Sequence, residues 1–150
     1  MPVNLEEGDT IPLACRHCSS AGLLVTVKEG SWVRECAKCK GHTVVKVERR
    51  KDRLRVVIDD FISPAIVERL RQQAGVLQPS IDDWRAMVDC VMIDPAWDGR
   101  VFNVALSDIP ERKRDLVQGT YELPAPERET TVAVKIIDML GEEVLHLQRV

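Results

Sequence analysis

Two Cys-x2-Cys pairs, Cys15 with Cys18 and Cys36 with Cys39, are separated by seventeen residues and constrain this chain more than any other feature. Two intervening residues let both sulfurs of a knuckle turn toward one ion. Four thiolates at about 2.3 Å make the tetrahedral shell that zinc takes. The spacing falls in the range read as a zinc site. Gly22 after the first pair and Gly41 after the second suit tight knuckle turns. Four sulfurs leave no open position for a water nucleophile, so the expected cofactor is one structural Zn2+. Iron, alone or in a cluster, is the alternative that the same sulfurs allow. A redox Cys-x2-Cys needs one pair in a βαβ setting, which the pattern lacks. His17 and His42 flank the knuckles and read as neighbours of the site rather than ligands. Cys90 lies among apolar residues and reads as a small core side chain.

Five cysteines, an odd number, do not close into a set of disulfides. The opening Met-Pro-Val-Asn-Leu-Glu-Glu-Gly-Asp has no basic head before an apolar stretch, so no secretory signal is visible. No apolar run reaches the roughly 20 residues that span a bilayer. The expectation is a cytoplasmic chain without membrane contact, in a compartment where clustered cysteines indicate metal.

Past a polar lead-in over 1–14, the pattern is mostly β. Alternating residues at 24–28, a Gly30-Ser31 turn and a return at 32–35 place a hairpin between the cysteine pairs. Valine-rich runs at 43–49 and 54–58, joined by polar Arg50-Lys51-Asp52, predict a second hairpin. Ser63 before Pro64 starts a helix that Gly75 would end. Ser80 with Asp83 starts a second, striped by Trp84, Met87 and Val88. The run at 91–93, an Asp98-Gly99 turn and a return strand at 100–106 make another hairpin. Residues 107–129 read as a long connection with one strand near Tyr121. Strands at 130–138 and 144–150 around Leu140-Gly141 close the chain, with Val132, Val134 and Ile136 on one face. The expected fold is α+β: a zinc ribbon with a basic second hairpin over 15–60, a helical connector over 61–89, and a small antiparallel β-sandwich over 90–150.

The net charge of −3 is unevenly spread. Positions 28–55 hold ten Lys or Arg against four acids, about +6, leaving about −9 elsewhere. A basic stretch in an acidic chain is the pattern of an electrostatic footprint for nucleic acid, or else of a solvated hairpin face. Arg34, Lys38, Lys40, Arg49, Arg50, Lys51 and Arg53 are the candidate phosphate contacts.

Asp94-Pro95-Ala96-Trp97 is close to the Asp-Pro-Pro-aromatic motif with which amino-group DNA methyltransferases hold a flipped base. The glycine-rich cofactor turn and the long α/β domain that this chemistry requires are missing, and the motif runs straight into Asp98-Gly99. It reads as a strand end and turn. Asp59-Asp60 and Asp82-Asp83 read as caps and solvated ends. No phosphate loop, Gly-x-Ser-x-Gly or His-Glu-x-x-His occurs. The expectation is a chain that is not an enzyme and takes no small-molecule substrate.

Several segments together resemble the carboxy-terminal accessory region of adenine-specific DNA modification methyltransferases. They are the double Cys-x2-Cys, Val56-Val57-Ile58-Asp59-Asp60-Phe61-Ile62-Ser63-Pro64, Asp83-Trp84-Arg85-Ala86-Met87-Val88-Asp89, Trp97-Asp98-Gly99-Arg100-Val101-Phe102 and Val132-Ala133-Val134-Lys135-Ile136-Ile137-Asp138. The closing segment is similar to the last hairpin of immunoglobulin-like PKD domains. The likeness runs from about Cys15 onward, and the family's catalytic domain has no counterpart here. It implies an Ig/PKD-like β module and a role in contacting DNA, or a DNA methyltransferase or restriction–modification partner, without methyl transfer. The other functional expectations are a protein–protein adaptor without nucleic-acid contact, anchored by Trp32, Trp84 or Trp97, and a methyltransferase fragment acting in trans.

Overall fold

The computed structural model describes residues 5–14, 22–37, 41–63, 66, 69, 83–112 and 115–150. They form ten strands: β1 Thr10–Leu13, β2 Leu23–Lys28, β3 Ser31–Cys36, β4 His42–Arg50, β5 Arg53–Ile62, β6 Val88–Asp94, β7 Leu106–Asp108, β8 Thr120–Pro124, β9 Thr131–Asp138 and β10 Glu143–Arg149. One sheet has the order β1-β2-β3-β4-β5-β8 and the other β10-β9-β6-β7, all neighbours antiparallel. The two pack face to face in a sandwich-like arrangement around one main core. Val45, Val47, Leu54, Val56, Ile58, Tyr121 and Leu123 meet Val91, Ile93, Val132, Val134 and Ile136. Period-two alternation creates these faces: along β9, Val132, Val134 and Ile136 are all fully buried.

Two β-bulges keep the alternation in phase with the core. Val44 pairs with Asp60 but Val45 with Ile58, which leaves Asp59 as the extra residue in β5. Ile58 and Phe61, an odd number of positions apart, can then both face inward, at 4% and 0% exposure. Asp89 is the extra residue in β6, between Val88 paired with Asp138 and Cys90 paired with Ile137. Val88 and Val91 are both buried as a result.

The α+β expectation is corrected to a β-rich fold. β5 continues to Ile62, into the region expected to be helical. The stripe of Trp84, Met87 and Val88 becomes a 3-10 turn, Trp84–Met87, running directly into β6. Asp83 caps that turn by accepting from Arg85 N at 3.0 Å. A β-branched valine suits the strand better than another helical turn. The Ser63 cap is present, since its Oγ accepts from Ile66 N at 3.3 Å and Ile66 and Arg69 are helical. Most of residues 64–82, including Gly75 and Ser80, lies outside the described residues.

The expected return strand at 100–106 is also corrected, because pairing starts only at Leu106 and lasts three residues. Side chains satisfy the backbone that a ladder would have used. Asp94 accepts from Ala96 N and Asn103 N at 3.0 and 2.9 Å, and Asp98 from Arg100 N and Val101 N at 2.8 and 3.0 Å. The polar lead-in contains β1, which the sequence reading did not foresee. The strand near Tyr121 exists as β8, but it joins β5 in the first sheet. β4 and β5 therefore share one core with β6, β8 and β9.

Candidate metal centre and basic hairpin

The strand ends around the cysteines converge. Leu13 pairs with Leu23, and Leu23 with Cys36. Ala37 N donates to Gly22 O and Cys36 N to Gly41 O, both at 3.1 Å. The connections after β1 and after β3 thus leave and re-enter neighbouring strands at the same end of one sheet. By sequence, the first connection carries Cys15 and Cys18, and the second carries Cys39 just after Cys36. Cys36 closes β3 and is 2% exposed. Cys15, Cys18, Cys39 and His17 fall outside the described residues. The donor set fits a d10 ion: soft sulfurs, paired at knuckle spacing, on two adjacent connections at one sheet end.

His42 sits at this end but is committed to carboxylates. Its Nδ1 lies 2.7 Å from Glu35 Oε1 and its Nε2 3.2 Å from Asp60 Oδ2, spanning β3, β4 and β5. Beside Cys36 is a shallow cleft of about 290 Å3, lined by Gly22, Leu24, Glu35, Cys36, Ala37, Gly41 and His42. Cys90 is separate, on β6. Burial first, then the charges of Asp108 and Asp89, push its thiol up, which disfavours the reactive thiolate.

Among the described residues, the basic side chains do not assemble into one patch. Alternation turns Arg34 and Arg49 toward the inner face, in line with Val25 and Thr43 and with Leu54 respectively. Arg49 donates to the carbonyls of Pro126 at 2.6 Å, Arg128 at 2.9 Å and Val150 at 3.4 Å. Arg50 pairs with Glu48 Oε2 at 3.0 Å, and Lys46 with Glu48 Oε1 at 2.9 Å. Lys46 first, then Arg50, holds the Glu48 carboxyl below its usual range. Lys51, which makes the turn with φ 56°, and Arg53 are exposed at the β4–β5 tip. That tip is at the opposite end of the sheet from Cys36, because β4 starts at His42 and ends at Arg50. Lys38 and Lys40 lie outside the described residues.

Asp94-Pro95-Ala96-Trp97 is a strand end followed by a turn. Asp94 is 1% exposed, and both its oxygens accept backbone N–H groups of its own loop. Trp97 N donates to Thr131 O at 2.9 Å, and Thr130 Oγ1 to Pro95 O at 2.7 Å, tying the turn to β9. Trp97 packs near Phe102, ring centroids 5.9 Å apart, and Lys135 Nζ stands 4.8 Å over the Phe102 ring.

Searches of family models, curated proteins and solved structures find no match to this chain.

Proposed function

We propose that this chain is a non-catalytic zinc-ribbon module on an Ig/PKD-like β-sandwich, which docks a macromolecular partner. The carrying observation is the strand register that brings both Cys-x2-Cys connections to one end of one sheet. One zinc ion there, held by Cys15, Cys18, Cys36 and Cys39, closes a ribbon end whose small apolar cluster is Val25, Val27 and Trp32. The partner is a protein of the DNA methyltransferase or restriction–modification class, in keeping with the resemblance of the sequence. Fixation of Arg49 and pairing of Arg50 favour protein docking over a broad phosphate-binding face.

DNA contact in this reading is confined to the tip, through Arg50, Lys51 and Arg53. Three phosphates give a slope of log K against log salt near −2.7, at about −0.9 per phosphate. Fluorescence anisotropy with labelled duplex tests this, alongside zinc content of the purified protein. One zinc per chain and weak DNA binding of shallow slope support the proposal. Absence of bound zinc or iron sinks the ribbon. A slope near −5 or steeper restores the broad DNA face and sinks the confinement to the tip.

A further inference from the structure

The seam between β10 and the β3–β4 pair is built differently from the rest of the sandwich. β9 meets the other sheet with Val132, Val134 and Ile136, all at 0% exposure. β10 meets it with His146 at 0% and Gln148 at 6%. The His146 ring stands edge-on to Trp32 of β3, centroids 5.7 Å apart at 88°. Its Nε2 lies 3.1 Å from Gln148 Oε1, and Gln148 Nε2 donates to Val47 O at 3.3 Å. His146 Nδ1 is buried without a hydrogen-bond partner. Trp32 belongs with Val25 and Val27 to a small cluster separate from the main core. β10 gives that main core only the partly buried Val144, joined by Val150 just past the strand's end.

We propose that this seam is an acid-operated latch: a second proton on His146 parts β10 from β3 and β4 and uncovers Trp32, while the main core stays closed. With Nε2–H donated to Gln148, the incoming proton lands on Nδ1, which has no acceptor. The charged group acting on the ring is Arg34 of β3, a cation that opposes a second positive charge. The ring's other described contacts are neutral: Trp32 on β3, Val134 beside it on β9, and Gln148 on β10 itself, which is held in turn by the Val47 carbonyl of β4. Burial first, then Arg34, holds the imidazole down to about 3 from 6.5, against a weaker upward pull from Gln148. The folded pKa is depressed, so the parted state binds the extra proton. The closed seam is fully favoured above 6.5 and loses ground as pH falls from there toward 3. Each pH unit in that window shifts the balance about tenfold toward the parted state.

The test is an acid titration of the full zinc-loaded chain, following the Trp32 indole resonance, binding of an apolar-surface dye, far-ultraviolet circular dichroism and amide exchange. Zinc release is monitored in the same samples, because thiolates also protonate in acid. The expected result is that the indole shifts and dye binding rises while the circular dichroism and the exchange protection of Val134 and Ile136 persist. His146→Phe should abolish the dye rise and leave acid release of zinc in place. A dye rise in His146→Phe over the same pH range overturns the latch. So does a parent chain in which all four signals change in one transition, a result that holds even if the variant fails to fold.

Discussion

Tyr121 Oη of β8 donates to Asp108 Oδ2 of β7 at 2.7 Å, a hydrogen bond from one sheet to the other. The same carboxylate oxygen accepts Gln118 N at 2.7 Å, and the phenol oxygen accepts Gly119 N at 3.1 Å. This clasp closes the sandwich along one flank, as Gln148 does along the other. The two flanks differ in what a proton does to them: the phenol is neutral and fully used, whereas the imidazole of His146 has a nitrogen to spare.

Tyr121→Phe should lower stability by about 1–3 kcal/mol, because the Asp108 carboxylate and Gly119 N each lose a partner in a partly buried site. A shift in the urea midpoint at unchanged slope reads this. Burial first, then the bond to Asp108, raises the phenol well above its ordinary 10.0. The folded state therefore holds the proton longer than the unfolded state, so stability is complete below about pH 10 and declines as pH rises beyond it. The phenolate absorbance of the native chain should appear only together with unfolding.

Asp138 is fully buried at the end of β9, and its Oδ1 accepts Leu140 N and Glu142 N, each at 2.9 Å. Asp138→Ala strands two backbone donors at the β9–β10 turn and should cost roughly 2 kcal/mol. Asp138→Asn keeps an accepting oxygen and should cost less. Thermal melts of the two variants, compared with the parent, check the order.

The basic hairpin gives a prediction that separates structure from binding. Arg49→Ala releases the carbonyls of Pro126, Arg128 and Val150 and should lower stability by about 1–3 kcal/mol, with little change in DNA affinity. Lys51→Ala with Arg53→Ala should leave the melting temperature nearly unchanged and flatten the salt slope by about 2. Equal effects of the two changes on DNA binding would show that Arg49 leaves its carbonyls to bind.

Cys36→Ser should reduce bound zinc and loosen the ends of β2 and β3, whereas Cys90→Ala should keep one zinc per chain. Native Cys90, buried and with its thiol pushed up, should react slowly with an alkylating reagent. Metal analysis and a timed alkylation assay settle both.

Gly119 has φ +82°, and a Cβ there would stand 3.0 Å from Trp84 Cζ2. Ile58 N donates to Gly119 O at 2.8 Å, so the backbone cannot easily move away. Gly119→Ala should therefore cost about 1–2 kcal/mol from the left-handed backbone alone. A compensating Trp84→Phe should recover part of any additional loss, as a double-mutant cycle would reveal.

Several features were legible in the residues themselves. Alternation and turn chemistry located the hairpins at β2–β3, β4–β5 and β9–β10, because a two-residue period and a tight turn are local properties. The β2–β3 turn falls one position early, on Glu29 and Gly30 with φ 52° and 77°. Asp98-Gly99 announced a turn, but not that Asp94 and Asp98 would satisfy the following backbone and delay β7. The acids at 59 and 89 carry no local sign of a bulge; each is visible only against its partner strand.

By itself, then, the sequence determined the cysteine spacing and the separate hairpins, the C-terminal one included, but not the β-rich class of the whole, since spacing and periodicity act over a few residues. Only the tertiary structure decided that β8 would cross to pair with β5. Linear charge could not tell that Arg34 and Arg49 turn inward while Lys51 and Arg53 stay out, because it ignores strand phase. The placement of His146 against Trp32, with 113 residues between them in the chain, was decided the same way. Such pairings depend on which faces two sheets present to each other, a choice made by burial across the whole core.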